Sequence, residues 1–274
     1  MKISVITTIY NRPDHLRLLA TALAAQTRPP DELIVADDGS DTATGDALKR
    51  LLPECAIPAR VLRQEKDGYR LSAARNRAIR AATGDYLLFL DCDIVPLPDA
   101  VAVHVREALP GRVLCGNRAL LDEDTTQALF AMRPAPLAAD WEQAWSQADT
   151  TEMDVAARLF RHHAALRRWH VARAHKPKLL GCHFSLFRDD VERVNGFDEN
   201  FVGWGYEDDD FGRRLYRSGV KPRSVIEAAR ALHLWHPSLA PQELKRHRDR
   251  PNRAYFRRWR VAAFCANGLT KTGA

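Results

Sequence analysis

The sequence has little cysteine. Its five residues, Cys55, Cys92, Cys115, Cys182 and Cys265, are odd in number, scattered and never spaced Cys-x-x-Cys. That pattern excludes a disulfide framework and a thiolate zinc site, and it fits a reducing compartment. Long hydrophobic runs are missing too. Strings such as Tyr86–Leu90 fall far short of the roughly 20 apolar residues that a membrane-crossing helix needs. Met1–Ile6 runs straight into a strand-like pattern with no apolar leader or small-residue cleavage site, so a cytoplasmic protein is expected. Neither a Gly-Lys-Ser/Thr phosphate loop nor a Gly-x-Gly-x-x-Gly turn follows a strand, and the usual NTPase and dinucleotide readings lose their main support.

What is present is ordinary globular composition with a basic excess. The 274 residues are 46% hydrophobic and 28% charged, with 41 Lys+Arg against 35 Asp+Glu, a net +6. The length supports a sizeable core in one large or two small domains. From residue 2 to about 117, short β-rich runs alternate with helical patterns, the signature of β/α units around a mostly parallel sheet. Strands are expected at Lys2–Thr8, Glu32–Ala36, Ala59–Gln64, Tyr86–Leu90 and Val113–Asn117. Helices are expected from Pro13 to Leu23, where Leu16, Leu19, Ala20 and Leu23 recur at helical spacing, and at about Thr42–Leu52, Leu71–Ala82 and Pro98–Leu109. Residues 118–178 read as a mostly helical insertion. A mixed region follows, with strands near Leu179–Phe187 and Arg230–Trp235 and a helix over Glu207–Ser218; the tail from Pro241 reads as helical and Arg-rich.

In open α/β sheets ligands bind beyond the carboxyl ends of the strands, and three polar clusters stand there. Thr7–Arg12 follows the first strand, Asp37-Asp38-Gly39-Ser40-Asp41 the second and Asp91-Cys92-Asp93 the fourth. Asp-Gly-Ser is good turn chemistry, yet two adjacent carboxylates exceed what a turn requires. Two acids one residue apart on an extended segment point the same way, which suits a divalent cation, or one metal plus a ribose hydroxyl.

Val5–Arg12, Leu33–Ser40, Gly68–Asn76 and the pair Asp91/Asp93 together resemble, in the right order, the inverting family 2 glycosyltransferases of the GT-A fold. The resemblance implies a Rossmann-like, mostly parallel sheet flanked by helices and a UDP-sugar donor. It implies nucleotide contacts from Thr8, Tyr10, Arg12, Asp38 and Arg75, with Asp38 near the uracil, Asp91 near the ribose and Asp93 on the metal. Residues 1–117 then form the nucleotide-sugar half, 118–240 the acceptor and catalytic half of the same domain, and 241–274 a basic helical tail.

Gly203–Leu215 places four consecutive acids, Glu207 to Asp210, at a predicted helix start. Acids in a first turn favourably face the helix dipole, but two would serve that purpose. Inverting transfer needs a carboxylate to take the acceptor hydroxyl proton, and Glu207 and Asp208 are the candidates. The Trp-Gly-x-Glu-Asp string resembles the catalytic region of galactosyltransferases. By that likeness Asp208 is the base, Glu207 and Asp209 face the acceptor, and Trp204 is a platform for a sugar ring. Either histidine of His233-Leu234-Trp235-His236 alone is more often a core or surface residue than a ligand. The same resemblance puts a metal-binding histidine at this strand end, His236 with His233 as a second donor, and imidazole nitrogen favours Mn²⁺ over Mg²⁺.

From Val155 to Arg188 there is no acid, while Arg158, Arg161, Arg167, Arg168, Arg173, Lys176, Lys178 and Arg188 lie inside. Lys245-Arg246-His247-Arg248 with Arg253, Arg257, Arg258 and Arg260 repeats the pattern. A solvated helix face is the default; the functional alternative is an anion-facing surface for diphosphate, a phosphate-linked lipid acceptor, an anionic glycan or a membrane. No helix-turn-helix, finger or aromatic sheet motif supports nucleic acid as a partner. A sugar-phosphate nucleotidyltransferase would carry a Gly-rich loop where Thr8–Arg12 has no glycine, and a non-catalytic sugar-nucleotide binder would lack the acids beside Trp204.

Overall fold

The computed structural model describes residues 1–169, 171, 175–237, 251–258 and 261–272. A seven-stranded sheet runs in the order β3-β2-β1-β4-β8-β6-β9. Its strands are β1 (Ile3–Ile9), β2 (Glu32–Asp37), β3 (Ala59–Arg63), β4 (Tyr86–Leu90), β6 (Arg112–Cys115), β8 (His183–Phe187) and β9 (Lys221–Ser224). Only β8 is antiparallel to its neighbours, β4 and β6, so the sheet is mostly parallel as expected. A three-stranded sheet, β5-β10-β7, adds β5 (Ile94–Pro96), β7 (Ala119–Leu120) and β10 (Ala231–His233). Of these, β5 and β7, like β9 of the large sheet, were not anticipated; runs of two to four residues are too short for any hydrophobic period to register.

Side-chain alternation along the strands builds two cores, one on each face of the large sheet. Ile3, Val5 and Ile9 of β1 with Leu88 and Leu90 of β4 pack on Leu16, Leu19 and Leu23 of α1 (Pro13–Ala24) and Val101 of α4 (Ala100–Glu107). Ile6, Leu87 and Phe89 face the other way. They meet Ala74, Ala78 and Ile79 of α3 (Leu71–Ala81), and Phe211 and Leu215 of α9 (Glu207–Arg217). Phe89 stacks on Phe184 at 4.4 Å and Phe197 on Phe211 at 4.2 Å.

The helix α2 (Thr42–Leu51) is capped by Asp41, whose carboxylate accepts from the Thr44 N–H at 2.8 Å. The insertion is helical as expected, with α5 (Glu123–Ala131), α6 (Ala138–Gln147) and α7 (Thr151–Arg168); α8 (Arg188–Arg193) follows β8. Three expectations need correction. The helix expected from Pro98 starts at Ala100, after a turn closed by the Ala100 N–H on Leu97 O. The strand expected from Leu179 starts at His183, because residues 179–182 turn their backbone toward the cleft described below. The tail is helical in α10 (Pro251–Phe256), but 261–272 is irregular and docks on Asn195, whose side chain donates to the Cys265 and Thr270 carbonyls. Residues 238–250, which hold Lys245–Arg248, lie outside the described residues.

Candidate active site

The loop after β1 is folded onto the loop after β2. Asn11, at φ 53°, reverses the chain; its N–H donates to Ser40 Oγ at 3.0 Å and its side-chain oxygen accepts from the Asp41 N–H at 2.8 Å. Gly39 has φ +79°, and a Cβ there would lie 2.6 Å from the Lys66 nitrogen, so only glycine lets the loop after β3 close on this turn. Asp37 serves the turn, accepting from the Ser40 N–H at 2.8 Å. The buried Asp38 accepts from Gln64 Nε2, from the Arg70 N–H at 3.3 Å and from Lys66 Nζ at 3.5 Å. Lys66 also sits 3.6 Å above the Tyr10 ring. Thr8, Tyr10 and Asp38 are thereby gathered at the ends of β1 and β2.

Asp91 and Asp93 do not share an extended segment: the chain turns between them, with the Ile94 N–H donating to Asp91 O at 3.0 Å. The two carboxylates therefore meet different partners. Asp91 accepts from Arg75 Nη2 at 3.1 Å, while Asp93 Oδ2 lies 3.0 Å from His236 Nε2, 3.9 Å from His233 Nε2 and 3.9 Å from Arg12 Nη1. The Leu234 N–H on Asp93 O, 2.9 Å, clamps the strand end bearing both histidines against this turn. Asp93, His233 and His236 form a group whose ligand atoms all lie within 4.8 Å of one another. Burial drives His233 below its ordinary range, which favours the neutral form that ligation requires. Burial alone would raise Asp93, but the hydrogen bond to His236 and the electrostatic pull of the neighbouring imidazoles and of Arg12 hold it below the ordinary carboxylate value. One carboxylate oxygen and two imidazole nitrogens make a donor set suited to Mn²⁺, and the residues fit such an ion.

Beside this cluster opens a cavity of about 450 Å³. Its far wall is the start of α9. The approach Gly203–Tyr206 is left-handed at Gly203, Gly205 and Tyr206 (φ 82°, 93° and 74°), and the last is a strained, non-glycine position next to the acids. Trp204, Glu207, Asp208 and Asp209 line the cavity, facing Arg75 and Asp91. Asp208 accepts from the Gly181 N–H at 3.2 Å and the Asp209 N–H at 2.7 Å. Arg75 is 3% exposed; it donates to Asp91 and to Gly181 O (2.9 Å) and stands 3.8 Å from Glu207. Burial and the neighbouring Asp208 push Glu207 up to about 7 and Asp209 up to about 6. Burial outweighs Arg75 in raising Asp91 to about 6. Glu207 Oε2 and Asp209 Oδ1 have no hydrogen-bond partner among the described residues.

The four acids divide. Asp210 is fully buried, bound by Arg213 and Arg214 at 2.7 Å each and approached by Arg258 at 3.4 Å, and faces away from the cavity. Sequence reasoning missed Tyr69, Arg118, Lys178 and Gly181, which also line it. Arg118 follows a strand end and was open to the rule that found Asp38 and Asp91. Lys178, 3.5 Å from Asp209, was read only as part of a basic run. On α7, Arg158, Leu159, Arg161 and Arg168 are exposed, as is Trp169 just after it; Arg173, Lys245–Arg248 and Arg260 lie outside the described residues.

A mostly parallel sheet with acidic strand ends, opposed across one cleft by an acidic helix start, is the GT-A arrangement. Residues 4–170 match the model for glycosyl transferase family 2, and the chain belongs to that family. Residues 154–237 match a second model, described as the N-terminal domain of galactosyltransferase, which here covers the carboxy-terminal part of the cleft. The chain is 31% identical over 243 residues to chondroitin synthase of Escherichia coli, covering 84% of this chain and 34% of that protein. It thus spans about a third of that relative's length. Two solved structures share the fold. TarS 1–349 of S. aureus in complex with UDP-GlcNAc has a TM-score of 0.58 at 18% identity, over 87% of this chain and 60% of that one. The mannosyltransferase PcManGT of Pyrobaculum calidifontis, in complex with GDP-Man and Mn²⁺, has a TM-score of 0.57 at 19% identity, over 87% and 58%.

Proposed function

We propose that this protein transfers a sugar (Gal, GalNAc, Glc or GlcNAc) from its UDP-sugar to a hydroxyl of a glycan or lipid-linked acceptor, with inversion. The observation that carries this reading is the position of Asp208, in the first turn of α9 and at the cavity wall, across from the Arg75–Asp91 pair. The acceptor oxygen attacks the anomeric carbon as the bond to UDP breaks on the opposite face, and its proton passes to the Asp208 carboxylate. The Gly181 N–H fixes that carboxylate, and the raised Glu207 sheds its charge so that the cluster need not hold every carboxylate ionised at once. Thr8, Tyr10, Arg12 and Asp38 seat the nucleotide, Trp204 stacks on the acceptor ring and Asp209 binds its hydroxyls. A divalent ion on Asp93, His233 and His236 would offset the charge of the departing diphosphate. The exposed basic and apolar side of α7 supports peripheral contact with an anionic membrane.

Asp208→Asn tests the base: turnover should fall by about 10²–10⁴-fold with UDP affinity retained. A near-wild-type rate would refute the assignment. Asp93→Ala should remove the Mn²⁺-dependent part of UDP affinity measured by calorimetry; an unchanged Mn²⁺ response contradicts the metal assignment.

A further inference from the structure

Behind the cavity lies a buried polar chain that the mechanism above does not use. Tyr86 OH is 2.7 Å from Ser185 Oγ, which is 2.6 Å from His104 Nδ1. His104 Nε2 is 2.8 Å from His183 Nε2, and His183 Nδ1 is 2.8 Å from the Asn117 carbonyl oxygen. Tyr86, His104, His183 and Ser185 are each no more than 1% exposed. A carbonyl can only accept, so His183 carries its proton on Nδ1. Its Nε2 is then an acceptor, which requires the proton of His104 on Nε2. His104 Nδ1 in turn accepts from Ser185, and Ser185 accepts from Tyr86. Every link is satisfied in one direction only, with both rings neutral. Burial drives both imidazoles down, His183 to about 4.

This chain ends beside the residues that hold the base. His183 is the first residue of β8, and the three before it are the turn whose Gly181 N–H binds Asp208 and whose Gly181 carbonyl binds Arg75. The same turn accepts the Asp91 N–H on Cys182 O at 3.1 Å, and the Gly116 N–H donates to His183 O at 3.0 Å. Gly116 lies flat against the imidazole, where a Cβ would come within 2.5 Å of the ring. We propose that His183 and His104 are positioning residues: their one-way hydrogen-bond chain fixes the turn at 180–182, and through Gly181 it sets the orientation of Asp208 and Arg75. Neither ring lines the cavity. This inference rests on the reading of Asp208 as the base, so two of its readouts are independent of turnover.

The test uses the full chain with Mn²⁺ and a UDP-sugar. His104→Gln keeps a donor toward His183 and an acceptor for Ser185, whereas His104→Leu removes both. The leucine variant should lower kcat by about 10–100-fold with donor KM within about twofold, and glutamine should restore most of the rate. The Gly181 amide resonance should shift in the leucine variant and return toward its wild-type position in the glutamine variant. A folded leucine variant with wild-type kcat and an unmoved Gly181 resonance overturns the proposal. If leucine prevents folding, the glutamine variant and the imidazole nitrogen spectrum of the wild type decide. Protons on His183 Nδ1 and His104 Nε2, with glutamine active, uphold it; any other tautomer pair, or an inactive folded glutamine variant, overturns it. Failure of Asp208→Asn to slow turnover would refute the base while leaving the tautomers as stated.

Discussion

Glu207 shows how burial and chemistry oppose each other at one residue. It lies 3.8 Å from Arg75, but removal from water and the adjacent Asp208 still raise it to about 7, against an ordinary 4.5. A carboxyl whose folded value is raised binds more protons in the native state than in the unfolded chain between those two values. The contribution of this residue to stability therefore falls as pH climbs from about 4.5 to about 7. Glu207→Gln, isosteric and unable to ionise, should raise the melting temperature at pH 8 and change it little at pH 4, measured by thermal unfolding at both. A larger gain at pH 4 would contradict the sign. The candidacy of Glu207 and Asp208 was legible in the sequence, because an acid pair beside Trp and Gly exceeds the needs of a helix dipole. The split between Asp208 and Asp210 was not, since it depends on which side of α9 meets Arg258, 48 residues away.

At the scale of elements, α9 buries an ionic cluster, Asp210 with Arg213 and Arg214, beside the apolar Phe211 and Leu215. Arg214 is fully buried, and beyond Asp210 its Nη1 donates to the Val194 and Gly196 carbonyls at 2.8 Å each. That ties the helix to the left-handed Asn195–Gly196 corner. Asp210→Ala would strand two guanidinium groups in the interior, and removing one partner of such a pair costs about 3–5 kcal/mol. Urea unfolding should show that loss; a cost under about 1 kcal/mol would mean that Arg213 and Arg214 find other partners. The long elements were readable because α1, α3 and β4 carry clean periods and sharp stops. The short β5, β7 and β9 were not, because tertiary pairing rather than local pattern makes them strands: β9 opens with Lys221-Pro222 and exists only by lying parallel to β6.

At the scale of the molecule, and among the described residues, the acids of the strand ends and of α9 meet Arg75, Arg118 and Lys178 in the cleft, while further bases stand exposed on α7. Trp169, which caps α7, is 75% exposed beside Arg168, and Leu159 and Arg158 are exposed about three turns earlier on that helix. Among the described residues no helix is long and apolar enough to cross a membrane. The protein should float with anionic vesicles at low salt, and not with zwitterionic ones or at high salt, where screening removes the attraction. Failure to float with anionic vesicles at low salt would dismiss the membrane reading. The division of the sequence near residue 117 was legible as the end of β/α alternation, but the sheet ignores it, since β6 pairs with β8 from beyond the helical insertion. This antiparallel strand bears on synthesis as well. Until the ribosome has delivered His183–Phe187, the edge of β4, Tyr-Leu-Leu-Phe-Leu, has no neighbour on that side, and such an edge invites pairing with another nascent chain. Translation that stalls within α5–α7 would leave that edge open longest.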